Sequence, residues 1–351
     1  MLGQPAGSNY KPTYRSPAQL QRTVPQVTIL RSPKDAPLPT EPSSKPISSQ
    51  RRSSWIDRYL PVGCDCVEAP LSSKTRKRLR MLNGLLFLFH TTLAVIIGSV
   101  RSDISLTVPI YETRLTYSFN ETINPDFFMS PSFSKIGDLY ITVLVLVFFG
   151  LSAFFHLGAS VLWHNAYLYC VEHKMDPFRW IEYFFSASIM FVLIAYICGT
   201  LVFEVIVLGS GLIATTMLFG WTTELVSRPA PDDTWHHSTL VRLYPHLSGY
   251  VPQSLAWFIL LYTFIQNAAR SDSGPPVYVY AIVSAEFVLF FSFGGVQLYQ
   301  ILNPPSRYIR GEVAYQILSF VSKGILGLIL YTNVLFLSNA NCALMENLPG
   351  C

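Results

Sequence analysis

Residues 315–331 read Tyr315-Gln-Ile-Leu-Ser-Phe-Val-Ser-Lys-Gly-Ile-Leu-Gly-Leu-Ile-Leu-Tyr331, an apolar run with Lys323 at its centre. A run of about 20 apolar residues is long enough to cross a bilayer as a helix. A charged amine at the middle of such a helix costs at least about 2.5–3.5 kcal/mol, so Lys323 marks a functional site by default. No other lysine lies in the middle of an apolar segment.

The rest of the chain repeats the pattern without the charge. Half of its 351 residues are hydrophobic and only 13% are charged, a balance that favours a membrane protein over a soluble globule. Seven spans are expected, at roughly 80–100, 136–163, 177–198, 200–222, 249–268, 277–302 and 310–338. The expected fold is therefore an all-α membrane protein, a seven-transmembrane-helix bundle at 79–340. It is preceded by a disordered basic tail at 1–78 and followed by a short tail at 341–351. No cleavable signal peptide is visible, so the first span is expected to direct insertion.

Charge sets the orientation. Twenty of the 25 Lys/Arg fall on the side of the N-tail and the second, fourth and sixth loops, whereas the other side holds Arg101, Arg114, Lys135 and Arg270. The positive-inside rule then places the N-terminus in the cytoplasm and the C-terminus outside. The sequon Asn120-Glu-Thr122 falls outside in that orientation. The cluster Lys74-Thr-Arg-Lys-Arg-Leu-Arg80 reads as a topology signal, or as a segment lying on an anionic membrane surface together with Trp55, Ile56, Tyr59 and Leu60. The long loop at 101–135 alternates at Ile104, Leu106, Val108 and Ile110 and again at Leu115, Tyr117 and Phe119. This predicts a β-hairpin turning at the polar Glu112-Thr-Arg114.

A buried lysine sheds its cost by losing its proton, or by reacting with an aldehyde and pairing with a carboxylate. The second route is retinal chemistry. A protonated Schiff base needs a counterion, because an unpaired buried cation is strongly destabilising. Glu182, in Pro177-Phe-Arg-Trp-Ile-Glu-Tyr-Phe-Phe-Ser186, is the candidate, with Arg179 one turn before it. Lys323 lies about 20 Å along its helix, which puts Glu182 near its level. Ser319, one turn before Lys323, offers a hydroxyl. His90, His156 and Ser152 in the first two helices suggest a polar cluster that titrates beside the amine.

The block Arg179-Trp-x-Glu182-Tyr183-x-x-Ser186, with Ser319-x-x-x-Lys323 in the last helix, resembles heliorhodopsins over about 78–338. The resemblance implies a light sensor with a cytoplasmic N-terminus and all-trans retinal on Lys323. It implies Glu182 as counterion and Ser319, Tyr183, Ser152, His156 and His90 as the polar cluster. It implies Glu224 as partner of Arg179, and Trp257, Phe290 and Gln297 as chromophore-pocket positions. The family's first-helix histidine is followed one turn on by a glutamine, whereas this chain has Thr91-Thr-Leu93. A homodimer and a cytoplasmic signalling partner are implied in the same way.

Two rivals stand beside this reading. Glu204, Glu286 and Glu312 also lie within apolar segments. Glu204 and Glu312 read as interfacial. Glu286, with Glu204, could form a light-gated proton path in the outer half of the bundle. A receptor or transporter without chromophore is the other rival. No phosphate loop, metal cluster or nucleophile triad supports enzyme chemistry, and lipid, not nucleic acid, is the expected surrounding. Cys64 and Cys66 are too few for a metal site and leave acylation open. Cys342 and Cys351 leave a disulfide or two thiols open, and Cys170 and Cys198 read as packing residues.

Overall fold

The computed structural model describes residues 70–100, 107–120, 124–271 and 274–335. The expectations for the N-tail before residue 70, for Cys64 and Cys66, for Glu121 and Thr122 of the sequon, and for Cys342 and Cys351 lie outside the described residues.

Seven long helices are described: α1 (Ser73–Val100), α2 (Ile141–Leu157, prolonged by a π-turn Gly158–Leu162), α4 (Pro177–Ile197), α5 (Phe203–Val226), α6 (Thr239–Arg270), α7 (Val277–Leu302) and α8 (Tyr308–Ile329). A short helix, α3 (His164–Glu172), joins α2 to α4. Neighbour contacts run α1–α2–α4–α5–α6–α7–α8 and back to α1, so the bundle closes as a ring, with α4 also touching α7.

Six of the seven are long and apolar enough to span a bilayer. The seventh, α6, carries Pro245, His246, Pro252 and Gln253, and it begins ten residues before the expected fifth span. Its apolar half, from Ala256 to Phe264, is what the sequence displayed.

The loop at 101–135 corrects the sequence reading in detail. β1 (Thr107–Asn120) and β2 (Asn124–Tyr140) form an antiparallel pair, and Glu112-Thr-Arg114 lies in mid-strand opposite Ser132–Ser134 rather than at a turn. Val108 and Ile110 of the first run and Leu115, Tyr117 and Phe119 of the second therefore belong to one strand, while Ile104 and Leu106 lie outside the described residues. Its partner comes from residues that sequence periodicity assigned partly to the second span, whose helix begins at Ile141 rather than 136. The hairpin is tied to the start of α5: Tyr111 N donates to Leu201 O at 2.9 Å, and Thr113 N donates to Glu204 Oε1 at 3.0 Å.

Local chemistry explains the sharp start of α4. Pro177 occupies the first helical position, where its missing N–H costs nothing, and the Asp176 carboxylate accepts from Arg179 N at 3.2 Å. This cap fixes the rotation of α4, and with it the positions of Arg179 and Glu182.

Candidate functional site

Lys323 is 4% exposed, on the inner face of α8. Its Nζ donates to Glu182 Oε1 of α4 and, at 2.8 Å, to Ser152 Oγ of α2. Ser152 in turn donates to the same Glu182 oxygen at 2.8 Å. Three helices thus meet at one ion pair, and each polar atom serves another. The amine also lies 5.4 Å from the Tyr183 ring centre and 5.7 Å from that of Phe148.

Ser319 does not take the role its spacing suggested. It is buried, but its Oγ has no partner among the described residues, and the hydroxyl at the ion pair belongs to Ser152. Helical spacing places Ser319 on the correct side of α8 without bringing it to the amine.

His90 and His156 stack with ring centres 5.5 Å apart. His156 Nδ1 lies 2.9 Å from Asn83 Oδ1, while the Asn83 amide donates to Leu79 O. The asparagine oxygen can only accept, so His156 carries its proton on Nδ1. Its Nε2, without a partner, is the basic nitrogen. Both nitrogens of His90 lack partners among the described residues.

On one side of the ion pair lies a cavity with about 720 Å³ of empty space, its opening included, walled mainly by Trp180, Tyr183, Met190, Phe290, Phe293 and Tyr250. Lys323 and Ser322 belong to the same lining. Gly220 and Gly294 are packed so tightly, against Trp180 and Tyr250 respectively, that a Cβ at either would force the ring to move. Gln297 lines the same cavity: its Oε1 accepts from His246 Nδ1 at 3.0 Å, and its Nε2 donates to Gly220 O at 2.7 Å. Trp257 is buried against Phe290, ring centres 5.3 Å apart, one layer behind the wall. An apolar ligand ending in an aldehyde suits this arrangement: an aromatic-walled space, and one amine in its lining with its counterion already in place.

A polar cavity lies on the other side of Glu182, lined by Asn83, His156, Tyr167, Gln316 and the carboxylates Asp176 and Glu312. Beyond it, Arg179 bonds to Glu224 and Glu312, with Asp176 Oδ2 at 3.8 Å. Tyr167 donates to Glu312 at 3.2 Å, Tyr308 donates to Glu224 at 3.1 Å, and Trp180 Nε1 donates to Glu224 at 2.7 Å. Arg179 therefore pairs away from Glu182, and Glu312, read from sequence as interfacial, is 2% exposed. Asp176 lies just before the α4 span. Burial and then the adjoining Glu312 hold its carboxyl well above the usual range.

Sequence reasoning missed Asn83, Tyr167, Asp176 and Gln316, and read Glu312 as interfacial where it is buried. The available signal was Glu312, eleven residues and three turns before Lys323 on the same face of α8. Tyr167, Leu168 and Val171 also gave α3 a buried face.

Glu286 is fully buried in α7, where Ser322 Oγ donates to its Oε2 at 2.9 Å and Oε1 has no partner. Glu204 corrects the expectation for it: at the first turn of α5 it is exposed and bonded to the hairpin, so it does not join Glu286.

Fold and site together define a seven-helix membrane protein of the rhodopsin kind. The structure is similar to that of xanthorhodopsin, described as a light-driven ion pump with dual chromophore. The TM-score is 0.52 at 12% identity, covering 78% of this chain and 99% of that one, a likeness of fold alone. No curated protein matches the chain. The heliorhodopsin family model matches residues 79–335, and the chain belongs to the heliorhodopsin family. It is a retinal-binding, light-responsive, multi-pass membrane protein.

Proposed function

We propose that the protein is a light sensor that carries all-trans retinal as a Schiff base on Lys323, with Glu182 as counterion. The observation that supports this most is the three-way contact of Lys323, Glu182 and Ser152, with Lys323 in the lining of an aromatic-walled cavity. Bound retinal would supply light absorption and a change of shape. Glu182 would balance the charge on the lysine nitrogen, and Ser152 would orient that carboxylate. The Nε2 of His156, without a partner among the described residues and lining the adjoining polar cavity, is the nitrogen whose lone pair is open to accept a proton. The charge asymmetry of the loops supports a cytoplasmic N-terminus and an outward-facing hairpin. In this reading the signal passes to a cytoplasmic partner from a homodimer.

The test is colour. Expressed with all-trans retinal, the protein should absorb visible light, and Lys323→Ala should be colourless. A colourless parent protein would end the proposal, and with it the preference over a receptor or transporter without chromophore.

One observation favours a second reading, light-gated proton conduction: Glu286, fully buried, accepts a hydrogen bond from Ser322, the residue next to Lys323. A carboxyl in such a place is rare unless it serves a proton path. Voltage-clamp recording under illumination should then show a photocurrent that Glu286→Gln reduces at least about tenfold, the loss typical of removing one proton-transfer group. A silent parent protein, or a current indifferent to the change, removes this reading. The exposed Glu204 has no part in it.

A further inference from the structure

The basic cluster at 74–80 is not used by any residue around Lys323, yet the structure divides it sharply by face. Ser73, Arg76, Lys77 and Arg80 recur at helical spacing and line an open groove between the start of α1 and α3 of about 900 Å³, its mouth included. Lys74 and Arg78 are exposed on α1 and do not line the groove.

The groove is held in shape from both sides. Arg76 donates to Glu172 at 2.8 Å, and the same carboxylate accepts from Leu71 N at 3.1 Å, which ties the approach to α1 against the end of α3. Arg80 Nε donates to Ser160 O at 3.1 Å and so holds its guanidinium over the groove. His164 and Asn165 form the opposite wall, and the lining contains no carboxylate among the described residues. Lys77 and Arg80 thus bring two positive charges to one concave site, while Glu172, at the end of α3, is engaged by Arg76.

What continues from this site is apolar. Met81, Leu85 and Leu88 follow Lys77 on one ridge of α1 and are exposed, as are Val161 and Leu162 of the neighbouring π-turn. A cationic hollow that opens onto an exposed aliphatic ridge within two turns of a spanning helix matches one kind of ligand.

We propose that this groove is a binding site for one anionic phospholipid, with its phosphodiester headgroup on Lys77 and Arg80 and its acyl chains along Met81, Leu85 and Leu88. A site of this kind holds a particular lipid at a particular place, unlike a surface attracted by net charge alone.

Native mass spectrometry of the full-length protein, titrated with phosphatidylglycerol or phosphatidylcholine, tests the proposal. Phosphatidylglycerol should bind in preference, and Lys77→Gln with Arg80→Gln should weaken it about thirtyfold, about fivefold for each basic side chain near the headgroup. Lys74→Gln with Arg78→Gln removes the same charge from the same helix and should leave binding unchanged. Equal losses from the two pairs, equal binding of the two lipids, or displacement by inorganic phosphate as readily as by lipid would each overturn it. If the groove pair does not elute as a single folded species, Lys77→Gln alone, an exposed site, carries the test with the fivefold loss. None of these measurements involves retinal, so their outcome is separate from the light-sensing proposal.

Discussion

At the scale of residues, the site is decided by which hydroxyl reaches the ion pair. Ser319 and Ser152 are both buried serines close to Lys323 by sequence logic, but only Ser152 bonds to both Lys323 and Glu182. Hydrogen bonds to charged groups contribute about 1.5–3 kcal/mol. Ser152→Ala should therefore destabilise the protein by about that much, while Ser319→Ala, whose Oγ has no partner among the described residues, should change stability by less than about 0.5 kcal/mol. Glu182→Gln should cost most, about 3–5 kcal/mol, because it leaves a buried cation without its partner. Thermal melting of the three variants checks the order; equal effects of the two serine changes would contradict this assignment. The lysine and its carboxylate were legible in the sequence because a charge inside an apolar run is conspicuous. The hydroxyl was not, because the choice between α2 and α8 depends on how helices pack, which spacing along one helix does not encode.

At the scale of elements, α4 begins where a buried cluster of charge is assembled. One guanidinium, Arg179, faces Glu224, Glu312 and Asp176. Removing the cation strands buried acids, so Arg179→Gln should cost about 3–5 kcal/mol. Asp176→Asn keeps an oxygen to cap Arg179 N and removes one buried carboxyl from a crowded site, so it should leave the melting temperature unchanged or raise it. A drop comparable to that of Arg179→Gln would show that the Asp176 charge itself is needed. The sequence displayed α1, α2, α4, α5, α7 and α8 as apolar runs within a few residues of their ends. It misjudged the polar half of α6, the short α3, and β2, whose last five residues were counted into the second span. Periodicity reads burial against lipid well. It reads poorly where one face of an element meets a polar interior.

At the scale of the whole molecule, the ring of helices separates an apolar cavity from a polar one, with Lys323 and Glu182 between them. The proposed orientation gives these two cavities a direction, with the polar one toward the cytoplasm. A fluorescent reporter fused at Met1 should be protected from external protease, and one inserted between β1 and β2 should be cleaved; the reverse pattern would invert every statement about sides. The six apolar spans alone cannot set that direction, because hydropathy is the same read from either side. Only the Lys/Arg distribution breaks the symmetry.

The prolines of α6 have a mechanical consequence. Pro245 and Pro252 have no N–H to give, so the carbonyls of Val241 and Ser248 lose their usual partners four residues on. His246, Gly249 and Gln253, which line the apolar cavity, lie within or beside this stretch. A helix with two rungs missing from its ladder bends at less cost than its neighbours. Of the described helices around the lysine, α6 is the one whose backbone ladder lacks these two rungs, so a change in the shape of the cavity would meet the least backbone resistance at that wall.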